Sequence, residues 1–179
     1  MNRIENLRQA ALGHSHTNAE FFYRFYKRYH ENEGPSDDLR YADALFCAFA
    51  QLTPHISDGE LIVGEIKNGL TASERQEWEN TYKEIAKERC RRAGGGQDSH
   101  MAIDYELLLS LGLNGIIARI EKYETDCRPE QADFYSAAKT CLLAVIRHSE
   151  NYATLAAQLA EAECDDGRKK ELLQIAGIC

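Results

Sequence analysis

Apolar positions recur at helical spacing along most of the chain, with one short interruption. In "RIENLRQAAL", Ile4, Leu7 and Ala11 fall three or four residues apart and predict a first helix. "HTNAEFFYRFYKRYHENEG" predicts a second, with Thr17 and Glu20 in capping-box register. Its aromatic residues Phe21, Phe22, Tyr23, Phe25, Tyr26 and Tyr29 spread over more than one face, so this helix is expected to pack on several sides. Core packing accounts for them better than a ligand cage. "GPSDDLRYADALFCAFAQLTP" predicts a third helix, capped by Ser36 and favoured at its N-terminus by Asp37 and Asp38, with Leu39, Ala42, Phe46 and Phe49 on one stripe. Pro54 stops it.

The interruption is "DGELIVGEI", where Leu61, Ile62 and Val63 stand between Gly59 and Gly64. The run is too short for a helix and has the composition of a buried strand, placed near 60–66. A single strand has nowhere to put its backbone hydrogen bonds, so the rest of its sheet must come from elsewhere.

Helical spacing then resumes. "TASERQEWENTYKEIAKERCRR" is a polar helix opened by a Thr71/Glu74 capping box and anchored by Trp78, Tyr82 and Ile85. After Gly94–Gly96 a helix is expected from about Asp104 to Tyr123, and Pro129 introduces the longest element. In that element Phe134, Cys141, Val145, His148, Tyr152, Leu155 and Leu159 form a sustained seam. His148 on this seam reads as a core or half-buried histidine rather than a catalytic one. "DDGRKKELLQIAGIC" starts a further amphipathic helix and runs to Cys179 without a polar tail, which suggests a truncated chain.

Length and composition narrow the class. The 179 residues are treated as one unit, 1–179, with 44% hydrophobic and 28% charged residues, as in soluble globular proteins. No apolar run approaches the roughly 20 residues of a membrane span, and no secretory leader is visible, so the expected address is cytoplasmic. The formal charge of -8 opposes binding to nucleic acid or an anionic membrane surface. Cys47, Cys90, Cys127, Cys141, Cys164 and Cys179 are dispersed without a C-x-x-C pair, fitting reduced thiols better than disulfides or zinc ligands, and the several on apolar helical faces read as buried structural thiols.

The chemical motifs are weak. Gly94–Gly96 lacks the Gly-Lys-Ser/Thr of a nucleotide cradle and the strand-led G-x-G-x-x-G of a dinucleotide site. His14 and His16 have no Cys or carboxylate at metal-ligand spacing, and two residues apart on a helix they would diverge. A small metal- or phosphate-binding enzyme is therefore the weakest reading. Residue by residue, the chain offers no catalytic, cofactor-binding or metal site.

Four segments together resemble the N-terminal region of the pyruvate formate-lyase-like glycyl radical enzymes: "RIENLRQAAL", "RYADALFCAFAQLTPHISDGELIVGEI", "SHMAIDYELLLSLGLNGIIARIEK" and "DFYSAAKTCLLAVIRHSENYATLAAQLA". The most specific matches are Asp58 to Gly64, together with His100, Asp104, Tyr105, Glu106, Gly112 and Asn114 to Ile116; "KKELLQIAGIC" looks like a further family element. The resemblance implies a mainly α chain, the helical N-terminal portion of an α/β barrel, with His100 a structural hydrogen-bonding residue and the glycines a flexible approach to a helix. It also implies a radical on a glycine near the end of the complete enzyme, installed by an activating enzyme that uses S-adenosylmethionine and an iron-sulfur cluster. That radical generates a thiyl radical on a mid-chain cysteine. Both loops lie beyond the matched region, so no cofactor and no catalytic residue is carried onto this chain, which would be inactive alone.

The partners so implied are the remainder of the barrel and the activating enzyme, and self-association into a homo-oligomer stays open. Many members carry a longer insert with a Pro-rich, Arg-containing segment where this chain has "AGGGQDS", which argues against simple transfer of formate acetyltransferase activity. The rival reading is a free-standing helical interaction module that keeps the fold without the chemistry.

Overall fold

The computed structural model describes residues 2–13, 18–34, 36–64, 69–92 and 103–179. Among these, α1 spans Arg3–Gly13, α2 Ala19–Glu31, α3 Asp37–Gln51, α4 Ala72–Glu77, α5 Lys83–Arg92, α6 Tyr105–Thr125, α7 Ala132–Ala162 and α8 Asp166–Ile178. A single π turn, Trp78–Tyr82, joins α4 to α5, and a 3-10 turn, Pro129–Gln131, leads into α7. The mainly helical expectation holds.

Helix starts follow local chemistry. Ser36 Oγ accepts from Leu39 N–H at 3.4 Å, and Thr71 with Glu74 forms the expected capping box. Asp104 accepts from Leu107 N–H at 2.9 Å and opens α6. The Thr17/Glu20 box is not what Glu20 does: its carboxylate is 0% exposed and turned onto Thr53 and Gly69 instead, while Thr17 lies outside the described residues. Burial among aromatic side chains makes long-range donors the better partners for that charge.

Two apolar clusters form the interior. The first joins Tyr23, Phe25 and Tyr26 of α2 to Ala44 and Ala48 of α3 and to Leu70, Trp78, Tyr82 and Ala86. Phe22 stacks on Trp78 with centroids 6.5 Å apart, and Tyr23 meets Tyr82 edge-on at 5.9 Å. The π turn adds one residue to the local repeat and presents both Trp78 and Tyr82 to α2. The second cluster joins Tyr152, Ala156 and Ala160 of α7 to Leu172 and Ile175 of α8 and to Ile56. Packing of α3 along α7 connects the two, with Asn151 Nδ2 donating to Ala50 O at 3.1 Å.

Close helix approach changes the seam expected on α7. Ala137, Ala144, Tyr152, Ala156 and Ala160 are the buried positions, whereas Phe134, Val145 and Leu159 are exposed. Alanines on α7 let α3 and α8 pack closely on it, and the bulkier seam residues are left on the flanks.

The strand expected near 60–66 does not form among residues 60–64, which follow a turn at 58–59 and bend at 61–62 with no ladder. Residues 65 and 66 lie outside the described set. No neighbouring strand is available among the described residues, and a lone strand gains no backbone bonds.

Helix α6 runs two residues beyond the expected end and bends at Gly112, where φ is +62° and ψ is 177°. This conformation is essentially reserved for glycine.

Candidate functional site

Among the described residues, the polar side chain with the deepest burial is Glu20. Its Oε1 accepts from Thr53 N–H at 3.3 Å and from Thr53 Oγ1 at 3.0 Å, and its Oε2 accepts from Gly69 N–H at 2.7 Å. One carboxylate thus closes both ends of the segment 53–69. Gly69 has no room for a side chain, since a Cβ there would lie 2.1 Å from Thr53 Oγ1. Arg24, one turn along α2, lies 3.7 Å from Glu20 and also pairs with Glu74. The capping-box bond from Thr71 N–H, then the Thr71 hydroxyl and the Arg24 guanidinium, hold the Glu74 carboxyl down to about 2.

A second polar clasp gathers three distant pieces of chain. Arg3 of α1 donates to both carboxylate oxygens of Glu171 at 2.7 and 2.9 Å and, through Nε, to Gly59 O. Arg168 donates to Ser57 O at 3.2 Å, to Glu60 O at 2.8 Å and to Glu171 at 3.0 Å. Hydrogen bonds from Arg3 and then Arg168 lower the Glu171 pKa. Beside the clasp is an open cleft of about 750 Å³, also lined by Asp58, Glu163 and Asp165. Its groups are largely spent on the fold: Asp165 caps α8, and Glu163 accepts from the N–H groups of Cys164 and Asp165.

Further along the same face of α2, Tyr23 O–H donates to Glu77 at 2.7 Å and accepts from Lys27 at 3.1 Å. Burial, then Glu77, raises the Tyr23 pKa, and the bonds from Tyr23 and Lys27 lower that of Glu77. Such a group is a protonated hydrogen-bond bridge rather than a poised base.

The sequence candidates fall as follows. His148 is half-buried between Phe49 and Tyr152, with ring centroids 5.2 Å from each, matching the core reading. Burial pushes its pKa down, while a bond to the Phe49 backbone opposes this, and its Nδ1 has no partner among the described residues. Cys47, Cys127, Cys141, Cys164 and Cys179 are free thiols, and burial raises Cys47 and Cys141. Cys164 is exposed, and the side chain of Cys90 lies outside the described set. His14, His16, Gly94–Gly96 and His100 also lie outside the described residues. Among those described, no three His, Cys, Asp or Glu side chains group as a metal-holding set. Sequence reasoning missed Glu20 and Arg3 as organisers. The only local signal was a carboxylate set among aromatics in "AEFFY".

The pyruvate formate lyase-like family model matches residues 67–179. The chain belongs to this family. A probable dehydratase, YbiW, of Escherichia coli (strain K12) is 33% identical over 90 residues, covering 46% of this chain and 11% of the relative. The (2S)-3-sulfopropanediol dehydratase of Klebsiella oxytoca is 39% identical over 94 residues, covering 49% of this chain and 11% of the relative. A glycyl radical enzyme from Archaeoglobus fulgidus matches 99% of this chain and 30% of its own, with a TM-score of 0.77 and 22% identity. The Roseburia inulinivorans structure solved for 1,2-propanediol dehydration matches 100% of this chain and 30% of its own, with a TM-score of 0.77 and 20% identity. The fold of this pyruvate formate lyase-like chain is therefore that of a helical portion of a glycyl radical enzyme. Its matches span 11% of the length of these curated relatives.

Proposed function

We propose that the chain is the N-terminal helical portion of a glycyl radical dehydratase, working as one unit with the rest of the enzyme and inactive alone. The observation that carries this reading is superposition of nearly the whole chain on 30% of a glycyl radical enzyme. Exposed apolar side chains add support: Leu109 is 83% and Phe134 59% exposed, on helices that a barrel would cover. A free-standing module would leave such positions polar.

The dehydratase assignment rests on the two curated relatives, both named as dehydratases, and fits the short crossing at "AGGGQDS". On this reading the substrate class is a vicinal diol or a related alcohol. The complete enzyme supplies a glycyl radical installed by an activating enzyme, and the present residues contribute scaffold. The reduced thiols agree with a cytoplasmic address.

The test begins with the reading frame beyond the Cys179 codon. A continuing frame with a mid-chain cysteine loop and a terminal glycine loop is expected. Activated anaerobically, the encoded enzyme should give a glycyl radical signal and convert propane-1,2-diol or glycerol to an aldehyde, without making acetyl-CoA from pyruvate. A stop codon after Cys179, or a radical signal from the 179 residues alone, would sink the proposal.

A further inference from the structure

A string of rings crosses the molecule from one apolar cluster to the other. Phe21 of α2, packed against the first cluster, meets Phe49 of α3 edge-on with centroids 5.4 Å apart. Phe49 meets His148 of α7 at 5.2 Å, and His148 meets Tyr152, a member of the second cluster, at 5.2 Å. The string runs through the seam where α3 packs along α7, beside the bond from Asn151 Nδ2 to Ala50 O. His148 is its one member that titrates near neutral pH.

The seam accepts this ring in its neutral form. Nδ1 is shut off from solvent with no partner among the described residues, and the bond to the Phe49 backbone falls to the other ring nitrogen. An added proton places a second N–H, and a charge, where the seam offers no acceptor. The titratable side chains on the surrounding helices do not supply one. Arg147 and Glu150 of α7 pair with each other at 3.2 Å and are more than half exposed. Cys47 of α3 accepts from the Gln51 amide, Tyr152 meets the imidazole edge-on, and Cys179 at the end of α8 is reached only through its carbonyl, by Ser149. Water reaches Nδ1 once the seam opens.

We propose that His148 is a proton-sensitive wedge: a proton on its buried Nδ1 opens the α3–α7 seam around Phe49 and Ala50 and loosens the link between the two apolar clusters. Burial already holds the ring's pKa below its ordinary 6.5 in the closed seam. The open seam therefore takes up the proton first. The closed form is fully favoured above about 6.5 and loses ground as the pH falls below that value.

The test is amide exchange of the 179-residue chain at pH about 7.5 and about 5.5, with each rate referred to the intrinsic rate at that pH. The expected result is a loss of protection around Phe49 and around His148 at the lower pH. Its ceiling is about 10-fold, set by one proton taken up at an ordinary pKa over this range. Exchange there should depend on urea less steeply than global unfolding does, as a local opening requires. His148→Phe, which keeps a ring in the string, and His148→Gln, which keeps a neutral polar group, should each remove the pH dependence. Equal protection at the two pH values in the natural chain overturns the proposal. So does a loss that persists in either variant, which places the titrating group elsewhere. A loss that carries the full urea dependence of unfolding overturns it too, because the proton would then act on global stability alone.

Discussion

Gly69 donates its backbone N–H to Glu20 Oε2 at 2.7 Å across 49 positions of sequence. The other oxygen of the same carboxylate holds Thr53, so a single buried charge fixes the entry and exit of the segment that carries the exposed Leu61 and Ile62.

Gly69→Ala should destabilise the protein by about 1–3 kcal/mol, because its Cβ would press on Thr53 where neither side can yield without breaking the neck. Glu20→Ala should cost about 3 kcal/mol or more, since two backbone donors and one hydroxyl lose their acceptor in a buried site. Urea unfolding measures both. A loss within experimental error for either would show that the neck opens easily.

Arg3 ties α1 to the body of the protein through Glu171 and Gly59, and none of residues 3–12 is buried. Arg3→Ala should speed amide exchange across residues 3–13 while leaving exchange in α7 unchanged. Added salt should act on the natural chain in the same direction, as expected of a solvent-accessible ion pair. Unchanged exchange in α1 would mean that its remaining contacts suffice.

Gly112→Ala forces a Cβ into a backbone region with φ of +62° and ψ of 177°. Nothing crowds the site, so the cost is backbone strain alone, about 1–3 kcal/mol, and it should appear as faster exchange confined to α6. Equal exchange in the variant would mean that α6 straightens at no cost.

His148 is held neutral by burial, so its folded pKa lies below the ordinary value of 6.5. The unfolded chain then binds a proton before the folded one does. Stability contributed by this group is present above about 6.5 and falls as pH drops from there toward the lowered folded pKa. Unfolding free energy should decline between pH about 7.5 and about 5.5, and His148→Phe, which keeps the aromatic contacts with Phe49 and Tyr152, should flatten that slope. An unchanged slope would place the titration elsewhere.

Local patterns determined much of the fold. Helical spacing located the helices, the Thr71/Glu74 box and the Ser36 cap formed as read, and His148 lies in the interior that its register implied. Each depends on residues within a few positions of one another, where sequence spacing is spatial spacing. The outcome of "GELIVG" depended on whether a strand neighbour existed, which no local pattern encodes. The α7 seam was misread because periodicity marks a face but not the approach distance of the helices packed on it, and the close approach of α3 and α8 favoured alanines. Glu20 and Arg3 lay further from reach. Their partners are 33 and 49 positions away for Glu20 and 168 for Arg3. Only the tertiary structure brings a buried carboxylate to two loop ends, because charge pairing at such separations is decided by how whole helices pack and not by the residues beside them.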